Sequence, residues 1–288
     1  MKAEDNEVVS VIDIGSNTIK FLVAQGPGVG VLDEFSADTR IGTGMGKGDT
    51  IVLQPGAMAA SVACVKRLQE RAMPFNPSRI VVVVTSAVRD AANGDEFRAM
   101  LKDATGLEAR ILSGDEEARY VGCGVSQDPC IDRHKPFYLM DLGGGSLELL
   151  EFGGGMVRQK VSLPLGAVRL NEKLVKNPAL PLGEDGIAEV SDYVAETVAA
   201  SGFSFANPGA LVGTGGGLAH ARFILGHDCG RAPSDSDPVI SAFDLRSLMK
   251  KVAAMTLAER RSLPHLTPSR ADIMPVALVT LHTVMGLA

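Results

Sequence analysis

Asp141 and Glu148, in LMDLGGGSLELLEF (139–152), are seven residues apart. They fall on the two strands of one expected hairpin, so both carboxylates can approach a single cation. Asp13, in VIDIGSNTIKFLVAQ (11–25), holds the place of Asp141 in a second copy. The two strings align without gaps, setting Gly15 on Gly143 and Thr18 on Ser146. A tight turn after a strand leaves backbone N–H groups pointing outward, and glycine lets an anion come close to them. A Ser or Thr ending the turn adds a hydroxyl donor. Such a turn is a phosphate cradle, and an acid beside it tolerates phosphate only with a cation such as Mg²⁺ in between. Two facing cradles would clamp one anion. LVGTGGGLA (211–219) adds a third glycine turn. None of the three fits GxxxxGK[ST] or GxGxxG, which disfavours P-loop and dinucleotide-binding readings. In SGDEEAR (113–119), Glu116 and Glu117 adjoin at the start of an expected helix. Acids there favour the helix dipole. Helical neighbours point about 100° apart, so one of the two can face a substrate as general base, and the pattern alone does not choose.

The elements that must position these residues also come twice. Residues 8–14, the turn GSNT and IKFLVAQ form a hairpin, and GPGVGVLDEFSADTRIG supplies a third strand. QPGAMAASVACVKRLQERAM changes to helical spacing. RIVVVVTSAV (79–88) is a continuous apolar run suited to a buried parallel strand. NGDEFRAMLKDATG reads as a helix stopping at Gly106, LEARILSG as a short strand, and DEEARYVGCGVSQ as a helix. After the polar break SQDPCIDRHKP the order restarts. Three strands run through FYLMDLGGG, SLELLEFGGG and MVRQKVSLPLG, then helices through AVRLNEKLV and GEDGIAEVSDYVAETVAASG. GALVGTGGGLAHARFILG is a strand, turn and helix, SAFDLRSLMKKVAAM and TLAERRSLP are helical, and RADIMPVALVTLHTVMGLA reads as a closing amphipathic helix. The expectation is α/β, two copies of one unit spanning 1–122 and 123–288, with the helix near 270–288 packing back on the first.

Composition narrows the function classes. The 288 residues are 45% apolar and 22% charged, without Trp, so the core must be aliphatic. A formal charge of -6 argues against a nucleic-acid coat. Cys64, Cys123, Cys130 and Cys229 make no CxxC and no Cys/His metal spacing, and read as reduced thiols. MKAEDNE is too polar for a signal peptide, and no apolar run reaches the ~18 residues of a membrane span. A cytoplasmic protein without membrane or nucleic-acid partners is expected. Oligomeric state stays open, a homodimer included.

Asp-x-Gly hairpins in both halves, with a third glycine turn before a helix, resemble the actin / heat-shock chaperone ATPase / sugar kinase superfamily. Within it, IDIGSNTIKFLV, TSAVRDAANGDEF, ILSGDEEARY, DLGGGSLEL, SLPLGAVRL, VGTGGGLA and RADIMPVAL resemble, in family order, the exopolyphosphatase / guanosine pentaphosphate phosphohydrolase family. The chain is similar to its short, two-domain members. The resemblance implies two actin-like (ribonuclease H-like) domains, each a mixed five-stranded sheet flanked by helices, with a cleft between them. It implies Glu117 as the general base that deprotonates the attacking water. It assigns Asp141 and Glu148 to Mg²⁺ or another divalent cation, with Asp13 as an outer partner. Phosphate is expected on Ser16, Asn17, Thr18, Gly143, Gly144, Gly145, Ser146, Gly215 and Gly216, and on the forked guanidinium groups of Arg40 and Arg89. Arg169 matches a family position that an ion pair would explain equally; Lys20 and Lys47 are weaker candidates. The implied reaction releases terminal orthophosphate from polyphosphate. The alternatives are the 5′ γ-phosphate of guanosine pentaphosphate, in the stringent response, or a sensor that binds without turnover. Lacking a Lys/Arg run, the chain has no evident basic track for a long polyanion.

Overall fold

A computed structural model describes residues 7–26, 30–45, 50–132, 134–207 and 209–288. The chain divides into two units, Met1–Ser113 and Gly114–Ala288. Lys47 lies outside the described residues.

In the first unit β1 (Val8–Ile14), β2 (Ile19–Gln25) and β3 (Gly30–Ala37) form an antiparallel meander. Two strands parallel to β1 need helical crossovers. α1 (Pro55–Ala72) leads to β4 (Arg79–Val84), and α2 (Ser86–Asp90) with α3 (Gly94–Thr105) leads to β5 (Ala109–Ile111). The sheet order is β3-β2-β1-β4-β5. Ile12, Ile14, Val82 and Val84 pack with Met58, Val65 and Leu68 of α1 and Phe97 and Leu101 of α3. Each such burial contributes about 1.5–3 kcal/mol. α3 ends where expected: Gly106 is left-handed (φ 72) and its N–H reaches the Lys102 carbonyl. The apolar run 79–88 is a strand only to Val84. Thr85 N–H takes the Ile14 carbonyl, and the chain then turns into α2, Arg89 N–H bonding the Thr85 carbonyl.

The second unit opens with α4 (Gly114–Val125), which packs on β7 and β8. The sequence-based division after residue 122 falls inside this helix. β6 (Phe137–Leu142), β7 (Leu147–Gly153) and β8 (Met156–Leu163) form the second meander, followed by α5 (Ala167–Leu174), α6 (Gly183–Ala200), β9 (Ala210–Thr214) and α7 (Gly216–Asp228). α8 (Ala242–Ala253), α9 (Leu257–Arg261) and α10 (Met274–Leu287) complete it. The order is β8-β7-β6-β9, four strands rather than the expected five among the described residues. Past α7 the chain carries Pro233 and Pro238, which cannot donate to a ladder.

Strand alternation decides what each face holds. Met140, Leu142, Leu147 and Leu149 join the core shared by α5–α8 and α10. Phe137, Leu139, Leu150 and Phe152 face the other way and pack with Ala118, Val121 and Val125 of α4. Asp141 and Glu148 share the parity of this second set, so they belong to the α4 face. α10 is not amphipathic. Met274 through Leu281 are all buried, and the helix packs on α5, α6, α7 and α8 of its own unit.

Candidate active site

In the second unit one row crosses the sheet at a single level. Ser162 of β8 pairs with Glu148 of β7, Glu148 with Asp141 of β6, and Asp141 with Thr214 of β9. Ser162 Oγ donates to Glu148 Oε1 at 2.7 Å, and the Ser146 side chain is a second partner. Glu148 is 1% exposed. Burial pushes its pKa up to about 8, with the charges of Glu117 and Asp141 adding to the rise. Glu117 therefore reaches this group from α4. The helix lies close enough because Gly114 and Gly122 face the sheet. A Cβ on Gly114 would meet Ser162 Cβ at 2.7 Å, and one on Gly122 would meet Leu150 at 2.8 Å. Lys160 Nζ holds the first turn through Asp115 at 3.0 Å. Of the two adjacent acids, Glu117 is the one whose charge acts on Glu148.

Two acids around a third, buried carboxyl form a donor set short of positive charge. Among the described residues no group of three or more His, Cys, Asp or Glu is arranged to enclose a metal. Mg²⁺ typically takes only one or two carboxylates and completes its shell with water and phosphate oxygens. The Asp141–Glu148 pair fits that demand.

The glycine turn between them is built to present N–H groups. Gly143 N–H closes the turn onto the Ser146 carbonyl. The turn's other carbonyls are tied off: Gly143 O accepts from Ala167 N–H, and Gly144 O from Val168 and Arg169 N–H. Gly145 O accepts from Arg169 Nε at 2.9 Å. Arg169 thus braces the turn rather than standing ready for an anion. Among the described residues the N–H groups of Gly144 and Gly145 donate to no backbone carbonyl. Gly215, at φ 100, presses on the row, since a Cβ there would lie 2.4 Å from Leu142 O and 3.1 Å from Asp141 Oδ1. Gly216 opens α7, and the Arg270 guanidinium occupies the space its Cβ would fill.

The first unit repeats the backbone of this turn. Gly15 N–H takes the Thr18 carbonyl at 3.1 Å, Arg40 N–H takes Asn17 O and Gly42 N–H takes Ser16 O. Ser16 and Asn17 N–H likewise meet no backbone carbonyl among the described residues. The side chains differ from expectation. Thr18 Oγ1 donates to Asp38 Oδ1 at 2.7 Å, and Asn17 Nδ2 donates to the same oxygen and to Thr18 Oγ1, both at 3.2 Å. Those donors serve Asp38 in this structure. Arg40, left-handed at φ 54, donates through Nε to Thr43. Arg89 Nη1 donates to Leu112 O at 3.0 Å, and its Nε lies 3.4 Å from Asp90. Asp13 stands opposite Lys20 in the β1–β2 register.

The second unit thus brings Glu117, Asp141, Glu148 and Ser146 together, while Asp13, Ser16, Asn17, Thr18, Arg40 and Arg89 belong to the first. Sequence reasoning missed Asp38, Ser162, Thr214 and Arg270. Ser162 and Thr214 follow from register once the strands are paired. Asp38 acts from a loop and Arg270 from a single 3-10 turn, Pro268–Arg270, and neither carries a periodic signal.

Residues 23–287 match the model of the Ppx/GppA phosphatase family. An uncharacterised protein of Streptomyces coelicolor is 29% identical over 96% of this chain and 83% of its own length. The crystal structure of an exopolyphosphatase from Cytophaga hutchinsonii superposes with a TM-score of 0.88 at 23% identity, over 98% of this chain and 91% of that one. An Aquifex aeolicus Ppx/GppA family member gives 0.75 at 22% identity, over 98% and 90%. Both share this chain's fold. Matched over nearly its whole length, and with its glycine hairpins built to one plan, the chain belongs to the Ppx/GppA phosphatase family.

Proposed function

We propose that the chain is a phosphoanhydride hydrolase that releases terminal orthophosphate from inorganic polyphosphate. The observation carrying this reading is the buried Glu148 carboxyl with Glu117 and Asp141 in electrostatic reach, beside a turn whose Gly144 and Gly145 N–H groups donate to no backbone carbonyl. Phosphoryl transfer asks a protein mainly for positioning and charge neutralisation. The Gly144 and Gly145 N–H groups would bind phosphate oxygens, and Asp141 and Glu148 would hold Mg²⁺. The ion, when bound, neutralises charge on the phosphate oxygens. Glu117 would orient a water and take its proton as the water oxygen bonds the terminal phosphorus. The bridging P–O bond breaks, and the shortened chain leaves with that oxygen. Ser146 and Ser162 keep Glu148 in place, and Gly215 leaves Asp141 room. In the first unit, Ser16 and Asn17 N–H form a second anion cradle.

The test is orthophosphate release from short polyphosphate, long polyphosphate and guanosine pentaphosphate, each with Mg²⁺ and with EDTA. Mg²⁺-dependent release from polyphosphate is expected. Release from guanosine pentaphosphate alone would move the substrate to the nucleotide, and release from none would leave a binding protein.

A further inference from the structure

The first unit's loop carries two buried polar atoms with no hydrogen-bond partner: Ser16 Oγ and Asn17 Oδ1, each on a residue 4% exposed. A buried acceptor left unsatisfied is costly, and in a turn of free N–H groups it points to a ligand. The orientation of the Asn17 amide is fixed by Asp38. Nδ2 lies 3.2 Å from Asp38 Oδ1; flipped, the amide would set its oxygen against that carboxylate. Thr18 cannot substitute as a donor to a ligand, because its hydroxyl hydrogen goes to Asp38. Gly42 confines Ser16 from the other side, a Cβ there lying 3.1 Å from both Ser16 Cβ and Ser16 O.

We propose that Asp38 is a positioning residue that locks Asn17 with its oxygen toward the ligand, so that this loop selects an oxyanion carrying a proton. The backbone N–H groups of Ser16 and Asn17 suit any oxyanion. From an oxyanion, Asn17 Oδ1 can accept only an O–H, which protonated phosphate supplies and sulfate at neutral pH lacks. Such a site rejects the analogue without the hydroxyl, because its own acceptor is then buried unpaired. The ligand class, a phosphate end group, rests on the hydrolase reading above; the selectivity does not.

The experiment is calorimetric titration of the full chain at neutral pH in EDTA, with inorganic phosphate and with sulfate as probes. The wild type is expected to prefer phosphate by about tenfold or more. D38A frees the Asn17 amide to turn and should bring the ratio close to one. D38N keeps an acceptor oxygen for Asn17 and Thr18 and should retain the preference, which a general loosening of the loop would not. Equal binding of the two anions by wild type, or an unchanged ratio in D38A, overturns the proposal. The wild-type comparison decides even if D38A fails to fold. A wild type that prefers phosphate but releases none from polyphosphate would refute the hydrolase reading and leave this inference standing.

Discussion

The two hairpins use one backbone for two electrostatic ends. Both close with a glycine N–H on the carbonyl three residues later, 3.1 Å at Gly15 and 3.0 Å at Gly143. Both tie their carbonyls to a following segment and leave N–H groups unused. The difference sits at one aligned position. Asp13 pairs across its hairpin with Lys20, whereas Asp141 pairs with Glu148. The first sets opposite charges in register. The second concentrates like charge, and α4 adds Glu117. Duplication preserved what the backbone does for an anion, while one side chain per copy set whether the neighbourhood calls for a cation.

The largest way to sharpen that comparison is to remove the third acid. E117Q is expected to lower phosphate release about 10²–10⁴-fold, the usual worth of a general base. It should not lower the melting temperature, because it relieves a charge acting on Glu148. Retained turnover would take Glu117 out of the base role.

Breaking the backbone comes next. G215A puts a Cβ 2.4 Å from Leu142 O at φ 100. A non-glycine residue in such a conformation costs about 1–3 kcal/mol before any clash. Chemical denaturation should show a loss at the upper end of that range or beyond. A variant as stable as wild type would mean that the β9–α7 turn is softer than drawn.

Glu148 itself predicts a pH dependence that no group at Lys20 can match. Its folded-state pKa, about 8, lies above the ordinary 4.5, so the folded chain holds this proton more tightly than the unfolded chain. The stability it contributes is full below about pH 4.5 and declines as pH rises through about 8. In EDTA, denaturation between those limits should reveal a loss on the order of a few kcal/mol. E148Q should flatten the slope. An equal slope in both proteins would exclude Glu148 as its source.

Much of this was legible in the sequence, for physical reasons. Apolar runs on both sides of DIGSNT and DLGGGS declare both hairpins, and the Asp–Gly alignment anticipates the shared turn. Helices with strong stops, such as the one ending at Gly106, fall where capping chemistry puts them. What failed depended on tertiary surroundings. Val83 and Val88 belong to one apolar run, yet the strand stops at Val84, where its partner β1 ends at Ile14 and the chain turns into α2. α10 looked one-sided, but the helices packed around it bury eight consecutive residues. The phosphate-donor expectation for Asn17 and Thr18 is a separate matter: nothing local in the sequence announces that Asp38, twenty or more positions on, accepts from both side chains in this structure.

The smallest expected effect tests how alike the two turns are. A Cβ on Gly15 would sit 3.1 Å from the Thr18 carbonyl, while one on Gly143 would sit 3.4 Å from the Ser146 carbonyl. The first distance forces the neighbour to give, and the second is ordinary contact. Alanine also restricts the unfolded chain, which stabilises by about 0.4–1 kcal/mol where the native conformation accepts it. G143A should therefore be neutral or slightly stabilising, and G15A mildly destabilising, in paired urea titrations. The reverse order would show that the second turn, despite its three glycines, is the tighter of the two, and that its freedom serves the approach of a ligand less than the closing of the hairpin.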